Sequence, residues 1–161
     1  MTIRRAHPDA DGEVVWAILE PMIREGETYA LPRDMTRDDA LAYWFAASNE
    51  VYVHAADGAV LGTYLLRANL PAFGSHVANC GYVTAPAARG RGVAREMCGH
   101  SLARAKERGF RAMQFNFVVS TNERAVRLWQ QMGFAIVGTL PGACAHPRLG
   151  DVDAYVMHRA L

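Results

Sequence analysis

The chain has 161 residues, 51% of them hydrophobic and 20% charged, which suits one globular domain spanning residues 1–161 that buries its core without disulfide or metal staples. Lysines and arginines number 17 against 16 acids, a formal net charge of +1, so no attraction to nucleic acid is expected and electrostatic selectivity has to be local. No apolar run approaches the roughly 20 residues that cross a bilayer, "MTIRRAHPDADG" turns acidic where a signal peptide would continue apolar, and the scattered histidines form no metal-binding pattern such as HExxH.

"TIRRA" (2–6) alternates as a short strand. Residues 9–24 place Val14, Val15, Ile18, Leu19, Met22 and Ile23 at helical spacing, with Asp9 or Asp11 to cap the start. "GETYALPRD" (26–34) is a loop by its glycine and proline. Thr36, with Asp39 three residues on, forms a capping-box pattern ahead of the apolar "ALAYWFAA". The period then changes: residues 50–68 read as two strands around the tight-turn pair Asp57-Gly58. After the loop "LPAFGS" comes a strand at 76–85. A helix follows from Val93, its face drawn through Val93, Ala94, Met97, Cys98, Leu102 and Ala105, with Gly109 as its stop. Residues 111–119 are a strand, "NERAVRLWQQMGF" (122–134) is a helix, and "AIVGTL" and "VDAYVMH" are closing strands. The span 76–119 is thus one βαβ unit with a right-handed crossover. Cys80, Cys98 and Cys144 are odd in number and make no CxxC, which fits reduced thiols in the cytoplasm.

The strand-to-helix corner "APAARGRGVARE" (85–96) gathers a proline, two glycines and three arginines. A helix N-terminus exposes free N–H groups and partial positive charge. Gly90 and Gly92 let an anion approach the backbone, and Arg89, Arg91 and Arg95 can add charge-assisted hydrogen bonds. These features read as a phosphate or diphosphate cradle. It is not a Walker loop, because Gly-Lys-Ser/Thr is absent. Nor is it the dinucleotide fingerprint, which needs a third glycine at Arg95 and an acid about twenty residues on, where "GFRAMQF" stands. The plainer alternative is a solvated helix start with surface arginines.

Arg89-Gly90-Arg91-Gly92-Val93-Ala94 resembles the Arg/Gln-x-x-Gly-x-Gly/Ala signature of the GCN5-related N-acetyltransferases, with Pro86 three residues before it. Residues Asn122 to Phe134 resemble that family's Asn-x-x-Ala-x-x-Leu-Tyr-x-x-x-Gly-Phe helix, in the order and spacing the family uses. The resemblance implies an α/β (α+β) fold: a mixed, mostly antiparallel central sheet flanked by helices, splayed between the parallel strands 76–84 and 111–119, with acetyl-CoA in the V. It implies that the backbone of Tyr82, Val83 and Thr84 binds pantetheine like an added strand. An N–H near Val83 would polarise the thioester oxygen. The diphosphate would rest on Arg89 and the loop Gly90, Arg91, Gly92, Val93, Ala94 and Arg95, with Asn122 on the cofactor's other side.

"HVANCGYVTAPAARG" and "MQFNFVVSTNERAVRLWQQMGF" are similar to the branch that contains fungal enzymes acetylating azetidine-2-carboxylate and other proline analogues. That likeness implies that Asn79 and Asn116 form the catalytic substrate site, facing one cleft from two strands. Otherwise these amides satisfy local backbone. Trp129 stands where most of the family has the tyrosine that protonates the leaving thiolate, as it also does in the proline-analogue branch, and an indole N–H cannot act as that acid. His76 is a candidate base through water, and Glu25, Glu27 and Asp34 are candidate selectors of a cationic substrate, each with a plain surface reading.

The expected function is acetyl transfer from acetyl-CoA to a small-molecule amine, amino-acid-like, by direct attack in a ternary complex. Two alternatives remain: a protein or peptide N-acetyltransferase, favoured by an open groove, and a non-catalytic acyl-CoA-binding module, favoured by the missing acid. Dimers are common in the resembling family, and the C-terminal strands could lend an edge to a homodimer.

Overall fold

The structure, a computed structural model, describes residues 2–161. In chain order it has β1 (Thr2–Arg5), α1 (Pro8–Glu25), α2 (Arg37–Trp44), β2 (Glu50–Ala56), β3 (Ala59–Ala68), β4 (Val77–Thr84), α3 (Val93–Glu107), β5 (Ala112–Val119), α4 (Glu123–Gln131), β6 (Ala135–His146) and β7 (Gly150–Ala160). The strands form one seven-stranded sheet, ordered β1-β2-β3-β4-β5-β7-β6. Every neighbouring pair is antiparallel except β4 and β5. The expected mixed, mostly antiparallel sheet with one parallel pair is therefore what this chain forms. Among the described residues no helix is long and apolar enough to cross a membrane.

Side-chain alternation along the strands sorts the core into two layers. Val51, Val53, Leu65 and Val83 pack with Val15, Ile18, Leu19 and Ile23 of α1 and Trp44 of α2. Tyr52, Tyr64, Leu66, Cys80, Met113 and Phe115 face the other way, against Met97, Cys98 and Leu102 of α3 and Trp129 of α4. Both layers follow the helical periodicity of the sequence. Buried polar groups join elements within them. Trp44 Nε1 donates to Thr63 Oγ1 at 3.1 Å, and the Thr63 hydroxyl donates to Tyr52 O at 2.9 Å. On the opposite face, fully buried His54 of β2 places Nε2 2.6 Å from Glu96 Oε2, fastening the first turn of α3 to the sheet.

Several boundaries differ from expectation for local reasons. α1 starts at Pro8 with His7 as N-cap, ahead of both candidate aspartates, because proline's missing N–H is no loss at a first helical position. Asp11 lies inside the first turn, where it accepts from His7 N–H at 2.9 Å and from the Arg4 guanidinium at 2.6 and 3.0 Å. Thr36 does cap α2, accepting from Asp39 N–H at 3.2 Å. Asp57 and Gly58 take φ of 52° and 79°, the paired positive values of a two-residue hairpin. β6 runs through Pro141-Gly142, a pair that reads as a break. An edge strand tolerates a proline without a ladder donor, and a register shift between Leu140 and Cys144 absorbs the pair.

Two stability outcomes follow from these contacts. Thr63→Val leaves the buried Trp44 N–H without an acceptor and should cost about 1–3 kcal/mol in urea unfolding. The Arg4 hydrogen bond, reinforced by the His7 N–H and opposed by burial, holds the Asp11 carboxyl below its ordinary range. A depressed folded value means that Asp11's contribution is complete above its unfolded value of about 4 and is lost as pH falls through the folded one. Urea midpoints should therefore fall more steeply below about pH 4 in the parent than in Asp11→Asn.

Candidate functional site

The site begins where the sheet comes apart. β4 and β5 pair only at Val77↔Ala112 and Ala78↔Met113 and then diverge. One residue on, Asn79 Nδ2 donates to Gln114 O at 2.9 Å, a side chain replacing the ladder bond that the divergence removes. β5 also loses register with β7 between Phe115 and Val118, so Asn116 and Phe117 sit in an irregular stretch. On the α3/α4 face the gap is filled by rings: Trp129 lies 5.0 Å from Tyr82 and 5.2 Å from Phe115 between centroids. These aromatics are a wedge between the two strands.

The β3–β4 register decides which backbone groups face the gap. Asn69 N–H donates to Val77 O and Ala85 N–H donates to Leu61 O, bracketing a ladder in which Val83 opposes Thr63 and Tyr82 opposes Tyr64. Antiparallel pairs alternate between hydrogen-bonded and non-bonded. Asn79, Gly81 and Val83 therefore turn their N–H and C=O toward β3, while Cys80, Tyr82 and Thr84 turn theirs into the gap. This corrects the backbone role expected of Val83. Its amide is engaged with β3 and its side chain is packed in the α1/α2 layer. Tyr82 and Thr84 retain the open edge.

At the mouth of the gap, Gly90 and Gly92 take φ of 81° and 85°, values natural only to glycine. Gly92 is the N-cap of α3 and no side chain caps the helix. The first helical bond runs from Glu96 N–H to Gly92 O, which leaves the N–H groups of Val93, Ala94 and Arg95 as open donors. Arg89, Arg95 and Arg124 line the cleft around them. The Arg124 guanidinium comes within 3.5 Å of where a Cβ on Gly90 would lie. Arg91 is exposed and is not part of the lining. Open amides, left-handed glycines and three guanidinium groups are an arrangement chemically suited to an anion such as phosphate.

The cleft between the strands has a volume of about 830 Å³ and runs from this cradle to Asn79 and Asn116. At the end away from the cradle four amides form a chain. Asn79 donates to the Gln114 carbonyl, Gln114 Nε2 donates to Asn116 Oδ1 at 2.9 Å, and Asn116 Nδ2 donates to Asn69 Oδ1 at 2.7 Å. The two asparagines thus share one cleft and also satisfy neighbouring groups. Asn122, which lines the cleft too, caps α4 by accepting from Ala125 N–H at 3.3 Å. The α1–α2 loop covers one side. Tyr29 Oη donates to Tyr82 O at 3.3 Å, Glu25 pairs with Arg89 at 3.3 Å, and Glu27 pairs with Arg148 of the β6–β7 turn at 2.8 Å. Glu25 and Glu27 are thus held by arginines, not presented to a cationic substrate. His76 is exposed and lies outside the lining, which removes it as a base.

Titration in the cleft is governed by burial. Burial pushes the Cys80 thiol up to about 12, and the buried Tyr82 hydroxyl, 2.7 Å from Ser101 Oγ, is raised well above the ordinary phenol range. Burial also raises Tyr29, with the Arg67 guanidinium working weakly the other way. At neutral pH the cleft therefore holds protonated thiol and phenols, and Cys80 is not a nucleophile. Among the described residues no cluster of three His, Cys, Asp or Glu could hold a metal ion. The cleft residues absent from the sequence expectations include Tyr29, Arg67 and Arg124. Arg67 had a signal, a lone cation ending the apolar run "GTYLLRA". Tyr29 and Arg124 had none that separates them from surface residues.

The Acetyltransferase (GNAT) family model matches residues 16–134. The chain is 30% identical to the N-acetyltransferase aca1 of Schizosaccharomyces pombe, over 83% of this chain and 72% of that protein. The structure of a GCN5-related N-acetyltransferase from Kribbella flavida superposes with a TM-score of 0.94 at 42% identity, covering 99% of this chain and 97% of that one. The fold is also shared with yncA, a putative acetyltransferase from Salmonella typhimurium solved with acetyl-CoA, at a TM-score of 0.87 and 23% identity over 100% of this chain and 94% of that one. With the family model spanning most of the chain and the splayed sheet leading to a glycine-lined helix start, this protein belongs to the GNAT family of acetyltransferases.

Proposed function

We propose that residues 1–161 form one catalytic domain that transfers acetyl from acetyl-CoA to the amine of a small amino-acid-like substrate by direct attack in a ternary complex. The observation that carries this reading is the continuity of the cleft, from the open amides of α3 to Asn79 and Asn116, with the α1–α2 loop over one side. Acetyl-CoA, when bound, supplies a thioester carbonyl for the amine to attack and a thiolate to leave.

Each part of the chain has a defined task in this reading. The N–H groups of Gly90, Gly92, Val93, Ala94 and Arg95 hold the diphosphate, with Arg89, Arg95 and Arg124 around it. The open edge of Tyr82 and Thr84 aligns pantetheine, and the N–H of Tyr82 polarises the acetyl oxygen. Asn79 and Asn116 position the amine. Trp129 is a wall of the cleft, and the thiolate leaves without a tyrosine acid. A simple alkyl thiol such as cysteine has a solution pKa of about 8.5, so the thiolate of coenzyme A would be a tolerable leaving group. The raised Cys80 thiol argues against a covalent acetyl-enzyme. Most of the acceleration comes from juxtaposing amine and thioester, for which effective molarities can reach about 10⁵ M or more.

A protein acceptor is disfavoured by the loop at 26–35, which is held down at Tyr29, Glu25 and Glu27. In the segment after β3, Asn69 reaches Asn116 while Phe73 is 100% exposed and no part of this cover. Exposed Ile136, Val137 and Leu140 on the β6 edge support the expected homodimer, and three free, buried cysteines support a cytoplasmic location.

With acetyl-CoA and a panel of small amines, free thiol should appear only when a suitable amine is present. Turnover of peptides alone would favour the protein-acetylating reading, and binding without turnover would favour the acyl-CoA module. Asn79→Ala and Asn116→Ala should each lower kcat/KM for the amine by about tenfold or more, roughly the loss of one well-placed hydrogen bond to a charged group. Gly92→Ala meets no atom within 4 Å, yet it strains a φ of 85° and places a methyl where the diphosphate approaches. Its acetyl-CoA Kd should rise about tenfold or more, and Arg124→Gln should weaken binding in a salt-dependent way.

A further inference from the structure

The asparagine end of the cleft carries a cation with no partner. Arg67 of β3 stands directly opposite Asn79 of β4, and strand alternation puts both side chains on the α1/α2 face. It lines the cleft with Tyr29, Tyr43, Asn79 and Asn116. Both cleft carboxylates are engaged elsewhere, Glu25 with Arg89 and Glu27 with Arg148. Among the described residues Arg67 forms no ion pair and no side-chain hydrogen bond; of the other cleft arginines, Arg89 and Arg95 are held by Glu25 and Gln131, and Arg124, equally unpaired, stands at the opposite end beside Gly90. Arg67 is only partly exposed, and its strand neighbours Leu65 and Leu66 are buried.

Beside it lies an unused acceptor. The Gln114 carbonyl can only accept, so the 2.9 Å contact fixes the Asn79 amide with Nδ2 toward it. Asn79 Oδ1 is therefore turned elsewhere and receives no donor among the described residues. An open cation and an open acceptor on adjacent strands match a molecule that carries a carboxylate next to an amine. We infer that Arg67 is the residue that pairs with the carboxylate of the acetyl acceptor, while Asn79 Oδ1 accepts from its amine. The inference rests on the proposed small-amine acetyltransferase reading and names the residue that selects within it. Arginine suits the task because its planar fork binds a carboxylate bidentately.

The test compares the α-amino acids and azetidine-2-carboxylate, each as free acid and as carboxamide, as acceptors for the full chain. The parent should favour the free acid of its best substrate by about tenfold or more in kcat/KM. R67Q should erase that preference, chiefly by raising KM for the acid about 10–100-fold, with the carboxamide and the acetyl-CoA Kd changed less than about twofold. R67K, which keeps the charge without the fork, should retain part of the preference. An equal acid-to-carboxamide ratio in parent and R67Q, or no preference in the parent, overturns the inference and leaves the acetyltransferase reading intact. So does a loss in R67Q that appears in acetyl-CoA affinity instead of acceptor KM. Failure of the parent to acetylate any small amine sinks both.

Discussion

The parting of β4 from β5 after two residue pairs is the constraint on which the rest depends. A continuous parallel ladder there would consume the backbone groups of Cys80, Tyr82 and Thr84 and leave no cleft. The separation is built in from both sides. Tyr82, Phe115 and Trp129 fill the space on the α3/α4 face, β5 is irregular beyond Phe115, and Asn79 closes the vertex with its side chain. Backbone polar groups that secondary structure would normally satisfy are thereby left for a ligand.

The other devices place chemistry around that opening. His54 and Glu96 anchor the first turn of α3 to β2, so its open amides are aimed by the core and not by a flexible loop. Gly92, lacking a side-chain cap, keeps those amides available where a serine or aspartate would bind one itself. The α1–α2 loop is fastened over the cleft at Tyr29, and Gly81 is what admits it, since a Cβ there would lie 2.7 Å from Tyr29 Oη. The same alternation that sorts the core into two layers puts Arg67 and Asn79 on one face. Core packing and the placement of these two cleft side chains are thus set by one register.

Much of this was legible from the residues. Periodicity identified α1, α3 and the hairpin, since apolar spacing and an Asp-Gly pair are local signals. The left-handed turns and open helix start of the glycine–arginine corner were legible because they are set within a few residues. What failed needed partners distant in sequence. Val83 reads as well as Tyr82 until the pairing with Thr63 sets the parity of the edge. Asp11 reads as a cap until Arg4 is beside it, and Pro141-Gly142 reads as a break until it lies on an edge strand. Tyr29 and Arg124 reach the cleft only through packing between loops and helices far apart in the chain.

Residue-resolved amide hydrogen exchange, with and without coenzyme A, tests most directly the claim that the open edge of β4 and the first turn of α3 receive the cofactor. In the free protein the Val83 amide should exchange slowly while those of Tyr82, Thr84 and Val93 to Arg95 exchange fast. Saturating coenzyme A should slow that second set and leave Val83 nearly unchanged. Exchange at Tyr82, Thr84 and the α3 start that is indifferent to bound coenzyme A would contradict the account.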